Sequence, residues 1–192
     1  MSIERSEELI VLVDDRGRPT GTADKWTSHH ADTPLHLAFS CYVFDDDGAF
    51  LATRRALTKS VWPGAWSNTV CGHPAPGESI PAAIQRRLDY ELGMSARDLE
   101  VVLPDYRYRA PAFEGIVEYE FCPVYVARMA GGPLPNPVEV GDCAWIDWED
   151  FSRDALRDES DAYSWWCKNQ LLELRGHPLI ERYARPAGTR RC

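Results

Sequence analysis

Residues 62 to 81 read Trp62-Pro63-Gly64-Ala65-Trp66-Ser67-Asn68-Thr69-Val70-Cys71-Gly72-His73-Pro74-Ala75-Pro76-Gly77-Glu78-Ser79-Ile80-Pro81, and the run continues to Leu92-Gly93-Met94. Its first half is too rich in Trp, Pro and Gly for a regular element, and it sets Cys71 and His73 two residues apart. Its second half predicts a helix. Ser79 supplies an N-cap oxygen, Pro81 suits a first turn whose N–H has no partner, and Gly93 stands just past the last periodic residue. Ile84, Leu88 and Leu92 recur at helical spacing and predict a core-facing stripe. Glu91 falls between Ile84 and Leu88 on that inward side, whereas Arg86 and Asp89 point outward. A carboxylate on an apolar face is desolvated and needs a cation or strong donors beside it. An ion pair with Arg87 is the simpler partner and a bound metal the sharper one; the residues alone leave both open.

The chain has 192 residues, 44% of them hydrophobic, with 7 Trp, 8 Tyr and 6 Phe. That is enough apolar surface for one good core, and the length argues for a single domain. A net charge of −9 argues against a broad nucleic-acid surface but leaves room for a small anion held by a few basic side chains. There is no run of about 18 apolar residues, so no membrane-spanning helix is expected. Residues 1 to 8 read as a polar, acidic arm unlike a signal peptide, which makes a cytoplasmic protein with six reduced thiols the expectation.

Outward from the opening stretch, strands are expected at Leu9 to Val13 with a hairpin partner over residues 19 to 25, and at Leu35 to Phe44 after a loop from Trp26 to Pro34. In the second of these, Leu37, Phe39, Cys41 and Val43 share one face, and His36, Ala38, Ser40 and Tyr42 the other. Asp45-Asp46-Asp47-Gly48 reads as a hairpin turn rather than a calcium loop, because no ligand pattern continues beyond it. Phe50 to Thr53 returns as a strand into Arg54-Arg55-Ala56-Leu57-Thr58-Lys59, a solvated basic edge or a phosphate cradle. Tyr106 to Arg109 alternates like a strand, tyrosines on one face and arginines on the other. Ile116 to Val126 is a further strand with Glu118 and Glu120 on one face, where two like charges repel unless protonated or bridged by a cation. Residues 130 to 141 read as a surface loop, Ala144 to Trp148 as a last short strand, and Tyr163 to Arg175 as a helix with Tyr163, Cys167, Leu171 and Leu174 inward. Trp166 lies beside that stripe, in the core or at a pocket. The tail over residues 176 to 192 is rich in Arg and Pro and is expected to be loosely ordered.

His29, His36, His73, Glu118 and Glu120 form a candidate metal set of N and O donors, suited to Mn, Fe, Zn or Mg rather than copper. No pair among them has the spacing of a zinc finger or a two-histidine helix motif, so spacing alone does not establish a site. Further segments carry a resemblance. His29 is followed by Ala31-Asp32-Thr33-Pro34-Leu35-His36-Leu37-Ala38-Phe39-Ser40, then Thr53-Arg54-Arg55-Ala56-Leu57, Trp62-Pro63-Gly64 and Asn68-Thr69-Val70-Cys71-Gly72-His73-Pro74. Gly77-Glu78-Ser79, Tyr90-Glu91-Leu92-Gly93, Tyr106-Arg107-Tyr108-Arg109-Ala110 and Gly115-Ile116-Val117-Glu118-Tyr119-Glu120 complete the set. In order and spacing, over about residues 9 to 170, the chain resembles the type 1 isopentenyl-diphosphate Δ-isomerases of the Nudix superfamily.

The resemblance implies an α/β fold: a Nudix-like mixed β-sheet core flanked by helices, one compact domain over residues 9 to 175. It implies a buried Mn²⁺, Zn²⁺ or Mg²⁺ on His29, His36, His73, Glu118 and Glu120, and a Mg²⁺ shared by Glu91 and the substrate diphosphate. Cys71 and Glu120 match the two catalytic groups and Tyr108 their hydrogen-bonding helper. Arg55, Lys59 and Arg87 match side chains near the diphosphate, and Trp166 an indole facing the hydrocarbon end. The implied partner is a small allylic or homoallylic diphosphate, with no nucleic acid, membrane or obligatory oligomer. Moving a double bond through a tertiary carbocation needs an acid and a base, a π-face that stabilises the cation without trapping it, and exclusion of water. A Nudix diphosphate hydrolase is the nearest rival. Its pattern can be laid from Gly72 through Glu78 to Arg86, Glu91 and Gly93, but Arg87 and Tyr90 stand where hydrolases place metal-collecting acids. A metal-stapled binding module with no activity is the remote alternative.

Overall fold

The computed structural model describes residues 8–129 and 132–192. β1 (Leu9–Val13) and β2 (Pro19–Asp24) form the expected hairpin, turned by Asp14, whose Oδ1 accepts from the Arg16 and Arg18 N–H groups, and by Gly17 at φ +72°. The expected loop after it begins with a single helical turn, α1 (Lys25–Ser28), capped by Asp24. There follow β3 (His36–Leu37), β4 (Phe39–Phe44), β5 (Phe50–Arg55), β6 (Trp66–Ser67), β7 (Val70–Gly72) and α2 (Ile80–Leu92). β8 (Ala96–Leu103), β9 (Arg107–Arg109), β10 (Tyr119–Phe121), β11 (Val124–Met129) and β12 (Val140–Ile146) come next. The chain closes with α3 (Trp148–Arg157), α4 (Trp165–Leu174), α5 (Pro178–Tyr183) and β13 (Arg190–Arg191).

The strands make two mixed sheets. One runs β2-β1-β3-β10-β9; the other runs β13-β12-β5-β4-β11-β8, with β6 on β5 and β7 on β4. Two of the expected strands are each divided between them. Leu35 to Phe44 breaks at Ala38 into β3 and β4, and Ile116 to Val126 breaks at Cys122-Pro123 into β10 and β11, where proline has no N–H to give a ladder. β3 runs parallel to β10 and β4 parallel to β11. Ala38 N–H to Phe121 O (2.9 Å) and Ser40 N–H to Pro123 O (3.2 Å) join the two chains across the break. The sheets therefore part at this point while the two strands stay side by side, and His36, Ser40, Glu120 and Cys122 lie along the divide.

The alternation read in Phe39 to Phe44 holds. Phe39, Cys41 and Val43 pack with Ile84, Leu88 and Leu92 of α2, while Tyr42 and Phe44 face Phe50, Trp148, Phe151 and Leu171. α2 has the expected caps, with Ser79 Oγ accepting from Ala82 N–H and Gly93 left-handed at φ +61° donating to Asp89 O. Fully buried Leu88 contributes on the order of 2 kcal/mol by area alone.

One strand escaped the sequence pattern, and three expectations are corrected. β8 was not legible, because its alternation is masked by Arg97, Asp98 and Glu100 on an edge strand half open to water. The strand expected at Ala144 to Trp148 spans Val140–Ile146, and Trp148 instead opens α3 behind the Asp147 cap. The tail is not loose: α5 packs through Ile180 and Tyr183, and β13 pairs with β12. That pairing brings Cys192 onto Cys143, and the two are joined as a disulfide with Cα atoms 5.6 Å apart. Six free thiols were expected; Cys41, Cys71, Cys122 and Cys167 are free. Of the expected polar arm, residues 1–7 lie outside the described residues. No helix among the described residues is long and apolar enough to cross a membrane.

Candidate active site

Five side chains meet at one end of the divide. β3 supplies His36, fully buried, and its neighbour β10 supplies Glu120 in register with it. Glu118 leads into β10, His29 caps α1, and His73 follows β7. The ring centroids of His29, His36 and His73 lie 4.9 to 5.4 Å apart. His36 Nδ1 lies 2.9 Å from Pro34 O, and His29 Nδ1 lies 2.7 Å from Lys25 O. A carbonyl only accepts, so both Nδ1 atoms carry the proton and both Nε2 atoms turn a bare lone pair inward. His36 Nε2 faces His73 Nε2 at 3.1 Å, and His73 Nε2 is also 3.2 Å from Glu120 Oε1. Glu118 Oε2 is buried with no hydrogen-bond partner among the described residues, and His29 Nε2 is 3.6 Å away.

Converging lone pairs and an orphaned buried carboxylate oxygen are an arrangement that a bound cation would satisfy. His29, His36 and His73 bring ligand atoms within 4.8 Å of one another, and so do His36, Glu118 and Glu120. The donor set fits a divalent ion of the Mn or Zn type. Burial pushes His36 down to about 4, so it stays neutral and able to ligate. The two carboxylates divide their roles. Burial and the Glu120 charge push Glu118 up, whereas hydrogen bonds from His73 and Tyr108 hold Glu120 down against burial. Tyr108 Oη donates to Glu120 Oε2 at 2.8 Å from β9, directly across the antiparallel pair.

The second part of the site is a cleft lined by Arg55, Lys59, Asn68, Cys71, Arg87, Glu91 and Glu139. Glu91 is inward and buried as its spacing requires, and its partner is Arg87, with Nη2 2.6 Å from Oε1. That is the ion pair the residues allowed, in a place where oxygen ligands also face anion-binding side chains. Burial outweighs Arg87 and pushes Glu91 above the usual carboxylate range. Cys71, half-buried at the cleft floor, donates through Sγ to Asn68 Oδ1 at 3.0 Å. The Asn68 amide is oriented by its Nδ2 donating to the Val70 (2.9 Å) and Cys41 (3.3 Å) carbonyls, so the oxygen is the end presented to the thiol. Burial pushes Cys71 up to about 11, which keeps it a neutral thiol with its hydrogen in place.

Trp166 also donates to Asn68 Oδ1 (3.2 Å), beneath the Arg55 guanidinium at 5.0 Å from its ring. Trp62 meets Trp166 edge-on at 5.4 Å and packs on Phe113 at 4.9 Å. The Trp62 backbone is left-handed, φ +44°, a strained conformation for a bulky residue, held here against the cleft wall. Sequence reading singled out neither Asn68 as the shared acceptor nor Glu139. Asn68 is flagged only by standing three residues before Cys71, and Glu139 by nothing in a Pro-rich loop.

The sheets, the helix α2 and the site at its N-terminal approach define a class, and comparison with known proteins agrees: a NUDIX domain model matches residues 34–168. A crystal structure from Deinococcus radiodurans superposes with TM-score 0.66 over 93% of this chain and 100% of its own at 19% identity, a likeness of fold. An isopentenyl-diphosphate Delta-isomerase of Saccharopolyspora erythraea is 52% identical over 180 residues, 94% of this chain and 90% of that one. One from Agromyces mediolanus is 53% identical over 173 residues (89% and 84%), and one from Salmonella arizonae 44% identical over 179 (93% and 98%). The chain belongs to the NUDIX family and, within it, to the isopentenyl-diphosphate Delta-isomerases.

Proposed function

We propose that this protein interconverts isopentenyl diphosphate and dimethylallyl diphosphate by adding a proton to the terminal alkene carbon and removing one from the carbon on the far side of the tertiary cation. The observation that carries this reading is the coexistence, at one divide between sheets, of a protonated thiol and an ionised carboxylate. Cys71 keeps its hydrogen, directed at Asn68, and Glu120 is kept charged by Tyr108 and His73. From that state Cys71 delivers a proton and Glu120 receives one, from opposite sides of the bound alkene, and the opposite protonation state runs the roles in reverse. Tyr108 holds the Glu120 carboxylate in one orientation.

Arg55, Lys59 and Arg87 bind the diphosphate and supply binding energy remote from the reacting carbons. The Trp166 indole offers the carbocation a π-face and no nucleophilic atom, and Trp62 and Phe113 pack in series behind it. His29, His36, His73, Glu118 and Glu120 would hold a divalent ion whose positive charge would keep Glu120 ionised, and Glu91 would serve a Mg²⁺ that carries charge to the diphosphate oxygens. Proton NMR and phosphorus NMR of the metal-loaded protein with isopentenyl diphosphate and Mg²⁺ in D₂O test the proposal. The expected result is dimethylallyl diphosphate with deuterium in a methyl group and the diphosphate intact. Cleaved diphosphate with the double bond unmoved would transfer the site to hydrolysis, and no reaction would leave a binding module.

A further inference from the structure

Glu139 has no part in the roles above, yet it sits in the middle of the cleft. Its loop is tied to the end of α2 by Leu134 N–H to Leu92 O (2.7 Å) and Asn136 N–H to Glu91 O (2.8 Å), and Ala56 N–H donates to the Glu139 carbonyl (3.0 Å). These bonds deliver the Glu139 carboxylate between Lys59 and Arg87, and its Oε2 accepts from both. Arg87 Nη2 is thereby shared between Glu139 Oε2 (3.0 Å) and Glu91 Oε1 (2.6 Å). Two of the cations that grip a diphosphate are thus already engaged by an internal anion.

Placing a carboxylate where an anion must bind weakens binding of anions in general, so it acts on which anion is taken. Among the lining charges, Arg55, Lys59 and Arg87 face Glu91 and Glu139, an excess of one positive charge. A bare diphosphate monoester carries roughly three negative charges near neutral pH and its magnesium complex roughly one, since each phosphoryl oxygen set holds one to two charges. The cleft is matched to the complex. Mg²⁺ on substrate phosphates also takes one or two protein carboxylates, and two stand here around one arginine.

We infer that Glu139 is a specificity determinant that admits a diphosphate carrying its divalent cation and disfavours the bare anion by competing for Lys59 and Arg87. The inference rests on reading this cleft as the diphosphate site. Titration calorimetry with inorganic pyrophosphate, with and without Mg²⁺, tests it on the wild type, Glu139→Gln and Glu139→Asp. The Gln variant keeps an acceptor for Lys59 and loses the charge; the Asp variant keeps the charge. In Glu139→Gln, binding of metal-free pyrophosphate is expected to tighten about tenfold, and the preference for the magnesium complex to fall by a similar factor, for one charge removed at contact distance in a partly wet cleft. Glu139→Asp is expected to retain most of the wild-type preference. An unchanged preference in Glu139→Gln, or an equal loss in both variants, would overturn the inference while leaving the cleft a diphosphate site. A wild type that binds neither form would overturn both.

Discussion

The histidine–glutamate cage and the arginine–lysine cleft differ in how much of their own chemistry they complete. In the cage, donors are scarce: imidazole lone pairs converge and Glu118 Oε2 has no hydrogen-bond partner among the described residues. In the cleft Lys59 and Arg87 meet Glu139, and Arg87 also meets Glu91, while Arg55 is held by the Val61 carbonyl and the Trp166 ring. A region short of a cation is suited to hold one tightly and would weaken without it. A region of exchangeable ion pairs can open them for a ligand and restore them afterwards. The difference is the one expected between a site for a resident ion and a site for an exchangeable ligand.

The largest expected effect lies with the proton-transfer pair. Cys71→Ala and Glu120→Gln are each expected to lower kcat by about 10³-fold or more, with Cys71→Ala leaving the melting temperature nearly unchanged, as read by NMR turnover and thermal unfolding. Near-normal turnover in either variant would remove that residue from the reaction.

The cage is next, studied in protein stripped of divalent ions. His36 has a folded value of about 4, below its usual 6.5. Below pH 6.5 the unfolded chain takes up a proton that the folded chain refuses, so stability falls with pH from about 6.5 and levels off near 4. The loss is on the order of 3 kcal/mol. Urea midpoints across that range should show the slope in the wild type and lose most of it in His36→Gln; equal slopes would mean that the imidazole is not desolvated. Adding Mn²⁺ or Zn²⁺ at pH 7 should raise the melting temperature of the wild type only.

Glu91→Gln should act on the cleft alone. KM for the magnesium diphosphate substrate is expected to rise roughly 10- to 100-fold, with stability unchanged or slightly higher because a buried charge is removed. A melting temperature lowered by many degrees would make Glu91 a structural ion-pair residue. Trp166→Phe is the smallest: a few-fold loss of kcat with KM unchanged, from a weaker π-face and the loss of the indole N–H to Asn68.

The amino-acid sequence by itself determined many of the local elements and most of the candidate site residues. Helix α2 was legible to its caps because Ser79, Pro81 and Gly93 act through the backbone within a few residues, and the inward side of Glu91 followed from helical period alone. The hairpins and the two-faced strand Phe39–Phe44 were legible for the same reason, since alternation is a property of neighbouring residues. The cage residues, and in the cleft Arg55, Lys59, Cys71, Arg87 and Glu91, were legible through motif resemblance, each as a type and a position; Glu139 and the role of Asn68 were not. Only the tertiary structure decided how they meet. Two strands that read as continuous cross from one sheet to the other at Ala38 and Pro123, and that crossing sets His36 beside Glu120. The tail folds back to pair β13 with β12 and joins Cys192 to Cys143, across a sequence separation of 49 residues. Glu139 enters the cleft through hydrogen bonds from a loop to the end of α2. These are long-range encounters, and their free energy comes from desolvation and hydrogen-bond closure between segments whose sequences, taken one at a time, carry no record of each other.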